Sequence, residues 1–534
     1  MLITAKKQSS SLTLQGFIAW IMLMTLASGL SAQEVWTPIV KGGLYLEPKA
    51  VLLEESSRGL LVKWELNGFY SESINTPQGE FTRLRISEPP EISASSAGSP
   101  KLPMLTAMIR VPEGYLAQAQ MEKVEWVSAG RVRVYPRQFP TRDGDGDEPD
   151  FAFDHQVYLL TDFIPQNFAQ AGSPQGWGGL PVTGVSATPF RYIPATGDLE
   201  IAHSIEVRVE FRPGGNVHPV KSHYPNPKLE GLQRLHLLNP PPLENRPMEA
   251  DENDPVRMLV ILREEALDIM APLIQFHHNT GIRTETWIVD LNGVEDPQTM
   301  VKDRITDMFA EGLQYVLLVG DGYINNWHIP MFYWDPIDPP IRQDDTGTNS
   351  DKWYVCLDEP DQDGFDDHLP ELAIGRLVYR RAHLEELAVQ VDKILDYMNW
   401  SYEEPQEDWL GNCVLVADNT PVDNEPLFIL CKQAIAGFDY TFPAPEFNEI
   451  YGNVQGNNNQ MVINLSNGDG VGLFNYRGHG TWNETDHWNI AGDRINAAFV
   501  RRLANQNSPF ILISSACLTA DIATHLNNCL METF

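Results

Sequence analysis

At 534 residues, with 43% apolar and 21% charged side chains, the chain is long enough for about three to four folded units and too apolar to be disordered. Its 72 acidic residues against 38 basic ones leave a formal net charge of −34 and a pI of about 4.6. A field of that sign repels phosphate backbones and anionic lipid, which excludes nucleic acid as the natural partner.

Residues 1–32 read as a secretory signal. Lys6 and Lys7 precede an apolar run from Phe17 to Ala27, and Leu30-Ser31-Ala32 supplies the small residues of a cleavage site. The run is too short to span a bilayer and nothing like it recurs, so the expectation is an exported protein, extracellular or at the cell surface, with no membrane span. Residues 33–238 read as strands: Gly59 to Trp64, Arg131 to Tyr135 and Ile205 to Phe211 alternate or carry β-branched runs between turn residues. That pattern predicts an all-β, sandwich-like domain. A proline- and acid-rich linker follows over 239–255.

From 256 the pattern becomes α/β. Strands are predicted at Val256 to Leu262, Thr284 to Asp290, Tyr315 to Asp321, Leu372 to Gly375 and Cys413 to Ala417. Helices are predicted at Glu264 to His278, Pro297 to Gly312 and Ala382 to Trp400, with another starting near Glu425. Strands alternating with helices mean a mainly parallel sheet covered on both faces. We divide this region into 256–400 and 401–534. In the second part, Gly472 to Tyr476 runs into Arg477-Gly478-His479-Gly480, and Phe510 to Ser515 runs into Ala516-Cys517, with a crossover helix expected over Arg494 to Ala504.

Five cysteines, Cys356, Cys413, Cys431, Cys517 and Cys529, leave at least one thiol over, and no Cys-x-x-Cys pair suggests zinc. Catalytic groups of parallel sheets gather at the carboxyl ends of strands, where both His479 and Cys517 fall. An imidazole beside a thiol takes its proton and makes it a nucleophile, and the amides of Gly480 and Cys517 are candidate oxyanion donors. The alternative is a cysteine that fills core space beside a tight glycine turn.

The run Asn475-Tyr476-Arg477-Gly478-His479-Gly480-Thr481-Trp482, with Pro509-Phe510-Ile511 and Ser515-Ala516-Cys517, resembles the catalytic segment of the gingipain family of caspase-like cysteine peptidases. Upstream, Tyr315 to Asp321, Ser350-Asp351 with Tyr354, and Leu372 to Leu377 resemble the first half of that catalytic domain, and the β-rich part with Gly98-Ser99-Pro100 resembles the family's propeptide. The resemblance implies an α+β multidomain chain, with a β prodomain before a caspase-like α/β domain, made as a latent precursor. It makes Cys517 the nucleophile and His479 the general base and acid, acting on protein or peptide substrates and restrained by the chain's own propeptide. Asp418 and Asp423 are similar to a segment that supplies an acid to the site, either to orient the histidine or to bind a basic substrate side chain; a helix cap is the plainer reading. The family's catalytic domain continues well past its cysteine, so the expectation is a chain that stops short, with an edge strand left uncovered after Cys517, a helix over Asp521 to Met531, and weak turnover.

No cofactor is needed for this chemistry. Asp358, Asp361, Asp363, Asp366 and Asp367 around Gly364 suit a structural calcium ion, although Pro370 stands where an EF-hand would close with glutamate. Asp143, Asp145 and Asp147 are better read as a solvated turn. Two rivals to a secreted endopeptidase stay open: a transpeptidase or maturation protease on the same fold, and a non-catalytic adhesion or binding protein.

Overall fold

The computed structural model describes residues 35–534 except 41, 87–92, 94, 140–149, 243–255, 324–328, 335–347, 360–366, 381–382, 404–407, 420–424, 439, 441–443, 453–456, 486–487, 490–491, 507 and 524–528. The signal and most of the linker thus lie outside the described residues. Among those described, no helix is long and apolar enough to cross a membrane.

The N-terminal region is built from antiparallel strands in three sheets. Its longest pairing joins Tyr115–Arg131 to Asp198–Pro213, which also pairs with Gly59–Glu65. Along Asp198–Pro213 the residues Ile201, Ile205, Val207 and Val209 point into one core with Leu60, Val62, Trp64, Phe190 and Tyr192, all 0–1% exposed. The two-residue period buries one face and leaves charged residues on the other. Arg131 to Tyr135 is not the strand expected from its β-branched pattern. The long strand ends at Arg131, and the next residues cross between sheets, Val134 bridging to Thr82 and Pro136 to Pro100. Pro136 has no N–H to give a ladder, and the Val134 N–H is accepted by the buried Tyr192 hydroxyl instead.

The α/β region holds two four-stranded sheets, all parallel. We number their strands β1 (Met258–Leu262), β2 (Thr284–Ile288), β3 (Tyr315–Val319), β4 (Ala373–Leu377), β5 (Asn412–Ala417), β6 (Glu446–Tyr451), β7 (Leu473–Arg477) and β8 (Ile511–Ser515). The spatial orders are β2-β1-β3-β4 and β6-β5-β7-β8, so the same winding occurs twice. Helix Pro297–Ala310 covers one face of the first sheet through Val301, Ile305 and Phe309; Leu267–Asn279 and Leu384–Glu403 cover the other through Met270, Leu273, Leu387 and Val391. These positions recur at three- and four-residue steps, which is how a helix presents one apolar stripe.

Two helices expected from the sequence are shorter. Of Arg494 to Ala504 only Ala497–Val500 is helical, because Ile495 pairs its backbone with Thr485 and Asn496 begins the helix by accepting the Ala498 and Phe499 N–H groups. Of Asp521 to Met531, the described residues become helical only at Leu530. Among the described residues β8 is an edge strand, with Ile511 and Ile513 exposed.

Behind β3 and β4 an ion pair holds the loops. Arg376 on β4 donates through Nε and Nη2 to Asp351 at 2.7 and 2.6 Å, and through Nη1 to the carbonyls of Gly320, Asp321 and Ile329. Its side chain is 5% exposed. A planar fork is needed for both sets of bonds, which lysine lacks. Arg376→Ala should therefore lower the free energy of unfolding by about 3 kcal/mol, and Arg376→Lys should recover only a minor part of that in denaturant titrations.

Candidate active site

β7 and β8 pair in register, Leu473 with Ile511 through Arg477 with Ser515, so they end level. The residues that follow are held together by backbone contacts: the Gly478 N–H donates to Ser515 O at 3.2 Å, and a Cβ placed on Gly480 would lie 3.0 Å from Cys517 O and 3.1 Å from Ala516 Cβ. His479 and Cys517 therefore lie on two loops that touch. His479 is half-buried. The Tyr476 hydroxyl donates to its carbonyl at 3.0 Å, and its ring meets Phe428 edge-on with centroids 5.3 Å apart. Phe428, on helix Glu425–Ala436, also receives the Arg477 guanidinium over its face. Cys517 is exposed, unlike the buried Cys356, Cys413 and Cys529. Burial pushes the Cys356 and Cys529 thiols up to about 12 and raises that of Cys413, which keeps those three protonated and inert. Leu518, directly after Cys517, has φ 57°, a conformation that costs a bulky residue on the order of 1 kcal/mol or more.

Asp418 directly follows β5 and is fully buried, its N–H donating to Arg477 O, and Gly478 packs against it: a Cβ on Gly478 would come within 2.8 Å of Asp418 Cβ. The structure thus brings Asp418 to the His479 loop, whereas Asp423 lies outside the described residues. β5 and β7 are neighbours on which the winding reverses, the position where parallel sheets open a crevice. One group beneath the crevice escaped the sequence reading. Lys432 is 2% exposed and donates to Asn475 on β7; burial, with Arg477 nearby, lowers its pKa to about 8. The signal for it is a single cation directly after the apolar helix run Leu427 to Cys431.

The acidic loop is assembled differently from the expectation. Asp361, Asp363 and Asp366 lie outside the described residues, as do Asp143, Asp145 and Asp147. Asp358 and Asp367 come together with Glu371, which the sequence reading missed, and one oxygen from each lies within 4.8 Å of the others. All three are at least nine-tenths buried, and Asp358 Oδ2 has no hydrogen-bond partner among the described residues. Burial and their mutual repulsion push Asp358 up to about 7 and Glu371 up to about 9, and burial raises Asp367 as well. Three buried carboxyls with an unused oxygen fit a hard cation with oxygen ligands.

Residues 251–534 match the model of Peptidase family C25, and residues 43–219 match that of its propeptide, Propeptide_C25. The chain belongs to peptidase family C25. It is a gingipain-family cysteine peptidase carrying its propeptide. Three solved structures are similar to parts of this C25 chain. Gingipain K from Porphyromonas gingivalis, from work on its zymogenic latency, is 18% identical over 34% of this chain and 100% of that one, with a TM-score of 0.29. The complex of Porphyromonas gingivalis RgpB pro- and mature domains is 19% identical over 36% and 98%, with a TM-score of 0.33. The Arg-specific cysteine proteinase gingipain R is 25% identical over 54% of this chain and 60% of that one, with a TM-score of 0.38. A comparison with curated proteins finds no match.

The contact of the two loops at Gly480 gives a direct test. Gly480→Ala forces the 479–481 backbone away from Cys517, so the rate of Cys517 alkylation by iodoacetamide should fall severalfold. Gly184→Ala, in open space on a propeptide strand, should leave the rate unchanged.

Proposed function

We propose that this C25 protein is an exported endopeptidase, led by the signal at 1–32, that cleaves peptide bonds through a thioester on Cys517. In this reading His479 accepts the thiol proton, Sγ bonds to the substrate carbonyl carbon, and the amides of Gly480 and Cys517 stabilise the oxyanion. The intermediate collapses as the C–N bond breaks and His479 returns the proton to the leaving amine. Water, deprotonated by His479, then attacks the thioester and releases the acid and the thiol. The observation that carries the reading is the contact between the loops of His479 and the exposed Cys517 at the level ends of β7 and β8.

Asp418 or Asp423 is the proposed third acid. A carboxylate there serves either to orient His479 or to attract a basic side chain on the substrate before the cut bond. The propeptide is proposed to keep the enzyme latent, with its release requiring a cut in the linker. Cys517→Ala should remove turnover of a peptide substrate with little change in melting temperature, since it deletes a reactive atom and almost no apolar volume; His479→Ala should be nearly as severe. Wild-type turnover in Cys517→Ala would overturn the assignment, and product analysis with an added amine separates hydrolysis from transpeptidation.

We further propose that Asp358, Asp367 and Glu371 hold a structural calcium ion, the carboxylates keeping their charge when it is bound. Without it the sign is set by the raised pKa values. The folded carboxyls at about 7 and about 9 retain protons that unfolded ones lose above about pH 5. Stability in chelator should then fall as pH rises from 5 to 9, less steeply in Glu371→Gln. Millimolar calcium should raise the melting temperature more at pH 8 than at pH 5. Equal melting temperatures in chelator and calcium would exclude the ion.

A further inference from the structure

The buried acids of the first sheet face the propeptide. The Val220 N–H donates to Asp358 Oδ1 at 2.6 Å, and the Gly178 N–H donates to Glu371 Oε1 at 3.1 Å. Between these donors, Gly176 lies against the other oxygen of Asp358. A Cβ on Gly176 would stand 1.7 Å from Asp358 Oδ2, 2.2 Å from Cγ and 2.9 Å from Cβ, and these are its three nearest atoms. Gly176 sits in strand Gln175–Trp177 without a left-handed φ, so the propeptide's own backbone accepts any residue there. The need for glycine comes from a side chain of the other domain.

Leu369, between Asp367 and Glu371, adds an apolar contact by packing with Trp177, Val182, Leu229 and Leu237 of the propeptide. Among the described residues, other contacts across the boundary include the Val220 side chain against the core of the first sheet, the hydrogen bonds His223 N–H to Ala310 O and Gln314 Nε2 to Pro225 O, and the Lys228 ammonium over the Tyr315 ring. Both amides end on buried carboxyl oxygens, and a buried oxygen stripped of its donor away from water is costly. The part of the boundary that is both buried and polar is therefore the pair of amides on Asp358 and Glu371.

We propose that this clasp is the docking point that retains the propeptide: the amides of Val220 and Gly178 on Asp358 and Glu371, with Gly176 permitting the approach. It belongs to the first sheet, whereas Cys517 follows β8 of the second. Cutting the linker alone then does not free the propeptide; the clasp must also open.

The test uses the full chain with Cys517→Ala, to prevent self-digestion, and a site-specific protease sequence inserted within 243–255. After cutting, the dissociation constant of the two pieces is measured by size-exclusion and surface binding, in calcium and again in chelator. The wild-type pieces and those carrying Gly184→Ala, whose added Cβ meets nothing within 4 Å, should stay together. Gly176→Ala should weaken the association at least tenfold in both conditions while the circular dichroism and melting of the propeptide piece stay unchanged. Asp358→Gly in the Gly176→Ala background removes the clashing carboxylate, so the penalty of the alanine should shrink to less than threefold there. Equal dissociation constants for wild type and Gly176→Ala, an undiminished alanine penalty without Asp358, or wild-type pieces that separate on cutting would each overturn the clasp. None of these readouts requires peptidase activity.

Discussion

The parallel pairing of β7 with β8 is the constraint on which the second half of the molecule depends. Because Arg477 is opposite Ser515, the two chains leave the sheet at the same height, and the next residues have no room to diverge. Gly478 donates to the last carbonyl of β8, and Gly480 has no room for a side chain between Thr519 Cγ2, the Cys517 carbonyl and Ala516 Cβ. The separation of imidazole and thiol is thus set by a hydrogen-bonded ladder and not by a flexible loop. Tyr476 and Phe428 then fix the histidine from below and from the side. In the proposed mechanism, a site on the ends of rigid strands needs little ordering when substrate arrives, the source of the rate gained from oriented groups.

The first sheet repeats the winding of the second but puts different chemistry on its strand ends. Where the second sheet offers an exposed thiol, the first spends its loops on a guanidinium fork and a knot of carboxyls, both buried. Arg376 gathers the carbonyls after β3, and Glu371, two residues before β4, accepts from Leu357 and turns toward Asp358 and Asp367. Charged groups are seldom buried without partners, so these loops are held by electrostatics where the core ends.

β1, β3 and β5 were legible because each carries a nearly unbroken apolar run between turn residues, and His479 and Cys517 were read at strand ends that the structure also has. What was not legible depended on contacts distant in sequence. Val134 looks like a strand residue yet serves as a plug between sheets, and Arg494 and Ile495 look helical yet pair with Glu484 and Thr485. β6 and helix Asn458–Asn467 were passed over because their polar residues break the period; Asn458 is nonetheless 1% exposed, bonded to Asn489 and Asp493. Glu371 was missed for a related reason. A search for a closed calcium loop stops at Pro370, whereas the fold bends the chain past that proline and returns the next carboxylate to the cluster.

The carboxyl knot ties the two readings of the first sheet together. Asp358 gives Oδ1 to the Val220 amide, one residue past the matched propeptide, and leaves Oδ2 over Gly176 with no donor among the described residues; Glu371 divides its oxygens between Gly178 of the propeptide and Leu357 of its own domain. An amide N–H binds an ionised carboxylate better than a neutral carboxyl, and so does a cation. Each ligand of the knot therefore favours the charge state and the rotamers that suit the other. By linkage, whatever factor a cation adds to propeptide affinity, the propeptide must add to cation affinity. Gly176 sets how close the two domains come here, since any larger residue would push Asp358 out of its present position, and with it the proposed cation site.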